Sequence, residues 1–280
     1  MMTLIHETHA LRNGTRFRLG LPHLSARGLS ESWLLGQAVE RHWNAVAQRA
    51  GHPASAIRDL TGTRAFPCIV AARVQGNLGV FAEEADVRLE QARAPEATNG
   101  WHSRHVLRDL GGDPRDVVTV ELVSRFARRG GSSNRDLEAA DMPSWLTPPA
   151  DEGLPLPVRA FRARARAVRG TETPKSAPIA SVPVLAEPDL NGAGLLDGTA
   201  FLRFFAAAET VALAGPWRVG PVTGREVHLF ANADPGDRID LRCDLRISQA
   251  APTASTRAVI TAHRGSDGAL VAACETVRGE

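Results

Sequence analysis

Residues 20 to 53 read GLPHLSARGLSESWLLGQAVERHWNAVAQRAGHP. A glycine-bearing loop ends at Ser30, whose hydroxyl can cap a helix by accepting one of the backbone N–H groups left unpaired at its start. Trp33, Leu34, Val39, Trp43, Val46 and Ala50 then recur at helical spacing and make a broad apolar face. Gly51 followed by Pro53 is a stop signal. The expected helix therefore spans Ser30 to Ala50, and it is apolar over too much of its surface to stand alone.

Strand-like runs follow at Phe66–Val74, Asp86–Ala92, Trp101–Leu107 and Val117–Ala127, the last reading VVTVELVSRFA. Gly76, Gly79, Gly100, Gly111 and Gly112 supply the turns between them. From Ser132 to Pro157 the pattern lapses, and Pro143, Pro148, Pro149, Pro155 and Pro157 forbid a continuous helix or central strand. The same grammar then returns. The loop DLNGAG leads into an expected helix at Leu196–Leu213, which stops at Ala214-Gly215-Pro216. Strands follow at Arg225–Ala231, Arg238–Ile247, Ser255–His263 and Ala269–Thr276. Loop, helix, stop and strands occur twice, which divides the chain into units at 1–131 and 158–280 joined by a proline-rich linker at 132–157.

No helix separates successive strands, so parallel βαβ winding is excluded. Antiparallel strands can instead curl around each apolar helix, giving an α+β fold of two wrapped sheets. Two such sheets can join edge to edge and remove two open edges at once.

Composition narrows the function. A formal charge of +2 in 280 residues gives a general polyanion-binding role no support. Cys68, Cys243 and Cys274 lie far apart, which speaks against a disulfide framework or a zinc site and suits a reducing cytoplasm. No secretory leader pattern opens the chain and no run of about 18 apolar residues crosses a membrane. Walker, Gly-x-Gly-x-x-Gly and Gly-x-Ser-x-Gly motifs are missing.

The loop from His23 to Glu31 is the first candidate site. Free N–H groups at a helix start favour developing negative charge, and one well-placed donor lowers a barrier by about 2.7–4 kcal/mol. Gly28 would let backbone approach a ligand beside Leu29, and His23, Ser30 and Glu31 are candidate catalytic groups. The plainer reading is a capped helix with a solvated glutamate and a surface histidine. In the second half, Asn191 is a catalytic candidate, with Gly192 and Asn232 as substrate-binding candidates. The carboxamides of Asn191 and Asn232 can hold a thioester carbonyl or a carboxylate, although Asn232 in FANADPGD also suits a turn. His102 and His105 face opposite sides of a strand and would not share a metal. Arg159, Arg162, Arg164, Arg166 and Arg169 form a basic run. Read as an extended segment, it aligns 162, 164 and 166 toward the phosphates of coenzyme A or an acidic carrier protein, or it is a solvated linker. Without an aromatic platform, nucleic acid is a weak match.

Asp189-Leu190-Asn191-Gly192-Ala193-Gly194-Leu195-Leu196, then Arg225-Glu226 and Leu229-Phe230-Ala231-Asn232-Ala233-Asp234, resemble the carboxy-terminal domain of the leinamycin-pathway acyltransferase/decarboxylase family. GLPHLSARGLSESWLL and ERHW in the first half are similar to biosynthetic proteins related to it. The resemblance covers most of the chain and implies a double hot-dog fold in polyketide-type metabolism. It also implies decarboxylation of an acyl thioester with transfer from coenzyme A to an acyl carrier protein, and no cofactor beyond the thioester itself. The family's tyrosine aligns with Phe66, with Arg73 as anchor. Phe66 keeps the ring as a substrate-binding candidate but lacks the hydroxyl, and the chain contains no tyrosine. In addition, Asp197-Gly198-Thr199 replaces the aromatic residues that relatives carry after the Leu-Leu pair. Three functions therefore stand side by side: decarboxylation or acyl transfer on acyl-CoA or acyl carrier protein; a hot-dog dehydratase or thioesterase; or a non-catalytic carrier-binding module. The expected state is a monomer or homodimer without nucleic-acid or membrane partners.

Overall fold

The computed structural model describes residues 14–97, 101–112, 117–143, 146, 156–170, 177–213, 220–248 and 255–279. Helix α1 spans Glu31–Ala50. The Ser30 hydroxyl accepts the Trp33 N–H at 3.3 Å, and Gly51 closes the helix at a left-handed φ of 69°. Leu34, Ala38, His42, Val46 and Ala50 are buried, one every four residues, so they fall on a single face. Trp33, Val39 and Trp43 flank that stripe and are partly buried.

Around α1 curl β1 (Thr15–Arg18), β2 (Phe66–Gln75), β3 (Asp86–Ala97), β4 (Trp101–Asp109) and β5 (Val117–Arg129), with the short β6 (Leu137–Ala139) paired to β5. The second half repeats this with β7 (Ala180–Pro183), helix α3 (Ala200–Ala212), β8 (Val222–Leu229), β9 (Arg238–Ser248), β10 (Ser255–Arg264) and β11 (Leu270–Arg278). The strand order is β1-β3-β4-β5-β2-β8-β11-β10-β9-β7. Every pairing is antiparallel, and each half presents its strands to the seam in the same sequence.

The halves join where β2 meets β8, with Arg73 opposite Glu226 at the middle of the ladder, Gln75 opposite Gly224 at one end and Ala71 opposite His228 at the other. The two expected sheets are thus one continuous eleven-stranded sheet. Its core is continuous too: Leu34, Leu35 and Ala38 of α1 belong to the same buried cluster as Phe201, Phe204, Phe205 and Ala208 of α3. Each of the three buried phenylalanines contributes roughly 1.5–3 kcal/mol by leaving water. This is the double hot-dog architecture, an α+β fold with one helix wrapped by each half of the sheet.

Three elements differ from expectation. Helix α3 begins at Ala200 rather than Leu196, because the Asp197 carboxylate takes the Thr199 N–H at 2.7 Å and its hydroxyl at 2.6 Å, a local alternative to helix. The expected stop at 214–216 lies outside the described residues. The basic run is not extended: it forms helix α2, Leu156–Gly170, which crosses the expected boundary between residues 157 and 158. Arginine at every second position imitates a strand, but Ala and Arg are strong helix formers and the run holds few β-branched residues. Val158 and Phe161 of α2 pack on Ala71 and Val123, covering the outer face of the sheet beside the seam. Within the expected linker, a 3-10 turn at Asn134–Asp136 and β6 extend the first half.

Candidate active site

Twofold repetition creates two comparable junctions, each where one helix begins beside the end of the β2–β8 ladder. The junction at the start of α1, which holds the first candidate site, is filled. Glu31 is largely buried, its side chain 13% exposed, and ion-paired with Arg225 Nε at 2.9 Å. Arg225 also pairs with Glu209 of α3 at 2.9 Å, and Glu209 accepts from the Thr276 hydroxyl at 2.7 Å and from Arg278. Burial drives the Glu31 carboxyl above its usual range, with Arg225 opposing. Burial acts on Glu209 in the same direction, but Arg225, Arg278 and Thr276 outweigh it and hold that carboxyl below the usual range.

The rest of that loop is packed as well. Gly28 has a φ of 106°, and a Cβ there would lie 2.2 Å from the Leu78 carbonyl oxygen, so its small size admits neighbouring backbone rather than a ligand. Leu29 is buried, and the Ser30 hydroxyl is occupied as the helix cap. His23 Nδ1 accepts the Gly20 N–H at 2.8 Å, with its ring edge-on to Trp33. None of the residues from His23 to Glu31 lines the large cavity described next.

That cavity, of about 600 Å³, lies at the other junction. A bulge at Val70 shifts the β2–β5 register, and the β2–β8 ladder ends at the Ala71–His228 pair. Beyond this point the two strands part. The opening runs inward along α1 past Leu35, Val39 and Trp43 to Phe201 of α3. Its outer rim is formed by α2 and β5, with Arg162, Arg166, Arg169 and Arg125. Burial and then the charges of Arg125 and Arg166 depress the Arg162 pKa, the mark of cations crowded together. The Arg169 guanidinium lies 4.7 Å from the centre of the Phe230 ring. Another depression, beside β1 and β3, is lined by the exposed carboxylates Glu83, Glu84 and Asp86 and does not suit an acyl chain.

Three polar side chains in the cavity wall are held in defined orientations. Asn191 Oδ1 accepts the N–H groups of Ala193 and Leu195 at 2.9 and 3.3 Å. Asn232 Oδ1 accepts those of Leu196 and Ala233 at 3.1 and 3.0 Å. With each oxygen fixed by two donors, the amide nitrogens are fixed as well, and among the described residues they have no hydrogen-bond partner. The candidates of the second half thus divide: Asn191 and Asn232 line the cavity, whereas Gly192 does not, and neither does Phe66 of the first half. Phe66 lies with the Arg64 and Arg129 guanidiniums 4.8 and 5.9 Å from its ring centre.

The third group is His228, which carried no sequence signal of its own. Its Nε2 is 2.8 Å from Glu226 Oε1, and its Nδ1 is buried without a hydrogen-bond partner among the described residues. Glu226 is clamped by Arg73 at 2.7 Å and by Arg164. Arg164 is therefore committed to this pair and is not among the cavity's lining residues.

A separate polar network crosses the first half. His42 on α1 meets Ser103 and Ser124, both at 2.7 Å, and Ser103 meets His105 at 3.0 Å. His102 faces the opposite side of β4, 3.7 Å from Glu121. Among the described residues no group of three or more His, Cys, Asp or Glu side chains could hold a metal ion, and no helix is long and apolar enough to cross a membrane.

The fold and this junction define a double hot-dog protein with an open cavity at its seam. Solved structures with the same architecture include a Lactobacillus plantarum protein provisionally assigned as an oleoyl thioesterase (TM-score 0.65, 8% identity, 95% of this chain and 94% of that one). They also include the 12:0-ACP thioesterase of Umbellularia californica (TM-score 0.60, 12% identity, 96% and 98%) and an acyl-ACP thioesterase of Bacteroides thetaiotaomicron (TM-score 0.57, 10% identity, 96% and 98%). At these identities the likeness establishes the fold. No family model and no curated protein matches the sequence.

Proposed function

We propose that this chain is an enzyme of acyl thioesters, and that it hydrolyses a thioester carried on coenzyme A or on the phosphopantetheine of an acyl carrier protein. The observation that carries this reading is the seam cavity itself, apolar within and arginine-rimmed without. Its volume of about 600 Å³ falls inside the range of about 300–1,000 Å³ common for small-molecule sites. An acyl chain laid along α1 gains roughly 0.8 kcal/mol per buried methylene. Arg125, Arg162, Arg166 and Arg169 suit the phosphates at the other end of the molecule. Between the two ends, the amides of Asn191 and Asn232 can donate to the thioester carbonyl as it becomes an oxyanion.

The similar solved structures with thioesterase descriptions support hydrolysis. Acyl transfer or decarboxylation in polyketide-type metabolism rests on the sequence resemblance. A tyrosine nucleophile cannot serve here, since Phe66 occupies the aligned position and the chain has no tyrosine.

The test is incubation with malonyl-, methylmalonyl-, octanoyl- and palmitoyl-CoA, following thiol release and identifying the products by mass. Free acid and coenzyme A in equal amounts are expected from a fatty acyl-CoA. Carbon dioxide from malonyl- or methylmalonyl-CoA without thiol release would replace hydrolysis by decarboxylation. If an added carrier protein gains the acyl group, transfer is the reaction. Failure of every thioester to change, with or without carrier protein, would sink the enzymatic reading.

A further inference from the structure

We infer that His228 is the general base of the seam cavity and that Glu226 is the residue that positions it, an inference that rests on the hydrolytic reading above. The argument begins with the strand. Residues 226 and 228 of β8 point to the same face, so their side chains meet, and Nε2 lies 2.8 Å from the carboxylate. Glu226 is ion-paired with the guanidiniums of Arg73 and Arg164. A carboxylate accepts only, so the imidazole proton sits on Nε2 and the lone pair on Nδ1. That nitrogen is the one without a partner among the described residues, on a residue only 5% exposed that lines the cavity.

Nδ1 of His228 shares with Arg164 Nη2 the lack of a partner among the described residues, but it belongs to a side chain that lines the cavity, where a proton to accept explains it. The groups around the ring are consistent with this role. Phe161 of α2 is edge-on at 6.1 Å and Phe230 is stacked at 6.3 Å. Ala273 of β11 lies across the ladder, and Glu275, opposite Glu226, is neutralised by Arg257 at 2.7 Å.

In the inferred step, Nδ1 takes a proton from a water molecule as its oxygen bonds to the thioester carbonyl carbon. The carbonyl π electrons move to oxygen, toward the Asn191 and Asn232 amides. The tetrahedral adduct then re-forms the carbonyl, the carbon–sulfur bond breaks, and the departing thiolate takes the proton back from the imidazolium. Water and thioester become carboxylic acid and thiol, and His228 is restored.

The decisive experiment compares wild type, His228→Asn and His228→Gln, each shown folded by its melting curve, on the fatty acyl-CoA that wild type cleaves. Binding of S-decyl-coenzyme A, an uncleavable thioether, is measured by calorimetry in parallel. Loss of general-base assistance is expected to lower kcat by about 10²–10⁴-fold, with thioether affinity changed less than about threefold and the fall of activity toward acid abolished. In Glu226→Gln, kcat should drop while KM stays, and the acid fall-off should move to lower pH.

Diethyl pyrocarbonate provides a check on the unmutated protein. Modification mapped to His228 should track loss of turnover and be blocked by the thioether. Turnover within threefold of wild type in either variant, or surviving full modification of His228, overturns the assignment and leaves hydrolysis standing. A loss of thioether affinity as large as the loss of kcat also overturns it, because His228 would then hold the ligand rather than move a proton. A wild type that binds the thioether but cleaves no thioester refutes hydrolysis and this base together, and one that also fails to bind removes the acyl-thioester reading itself.

Discussion

Acid should unfold this protein well before its surface carboxylates are all protonated, and the cause lies in the first half. His42 is fully buried, with both ring nitrogens on serine hydroxyls, a pattern a neutral imidazole satisfies with one donor and one acceptor. Burial, then the neighbouring His105 and His102, pushes its pKa down to about 3. His105 is likewise pushed to about 3, by burial, Arg41 and His102. In the unfolded chain each takes up a proton near 6.5, so between about 6.5 and 3 the unfolded state binds more protons than the folded one. The stability from these two neutral rings is therefore complete above about pH 6.5 and is lost as pH falls. Each contributes a slope of about 1.4 kcal/mol per pH unit. By pH 5 that amounts to roughly 2 kcal/mol per ring, or about 4 together, a large share of a typical total of about 5–15 kcal/mol. Glu31 acts in the opposite sense, because its raised carboxyl gains a proton more readily when folded. The contribution of His42 is isolated by a variant: urea unfolding followed by circular dichroism at intervals from pH 7.5 to 5, on wild type and His42→Gln. The variant should show a slope shallower by about 1.4 kcal/mol per pH unit. A wild-type change below about 1 kcal/mol between pH 6.5 and 5, or equal slopes in the two proteins, would refute the reasoning.

Arg225→Leu should destabilise by about 3–5 kcal/mol, since it strands Glu31 and leaves Glu209 with fewer partners in a buried site; equilibrium unfolding near neutral pH measures this. Gly28→Ala should cost about 1–3 kcal/mol through its positive φ and more through the clash with Leu78, while leaving affinity for S-decyl-coenzyme A unchanged. A large loss of affinity there would return the α1 loop to the ligand site. Val39→Phe, which intrudes on the inner cavity, should shift thioether binding toward shorter chains, by roughly 0.8 kcal/mol for each methylene excluded. Calorimetry on a series of S-alkyl-coenzyme A thioethers reads that shift directly.

Helix α1 was legible because its determinants are local: a serine cap, a period-four apolar stripe and a glycine stop lie within consecutive turns. The four strands after each helix were legible for the same reason, as was the prospect of joining two sheets at their edges. Helix α2 was misread because alternating arginines satisfy a strand template, while the contacts of Val158 and Phe161 with Ala71 and Val123 that favour the helix are far away in sequence. Glu31 looked like a free base at a helix start because nothing near it in the chain announces Arg225. His228 was overlooked for the converse reason. A lone histidine two places after a glutamate is unremarkable until Arg73, 153 positions from Glu226, fixes the carboxylate and the β2–β8 ladder ends at the histidine itself. Cap and period are short-range information, whereas the identity of an open junction is settled by which distant side chains fill the other.

The covalent link between the halves has a consequence for how such a molecule can change. A pair of identical subunits must repeat every substitution at both of its equivalent contact points, so a residue that strengthens one also alters the other. A single chain with unlike halves is released from that constraint. Here one contact point carries the Glu31–Arg225–Glu209 charges and the other the vacant space, so new substrate preferences can arise at the second while the first continues to secure the assembly.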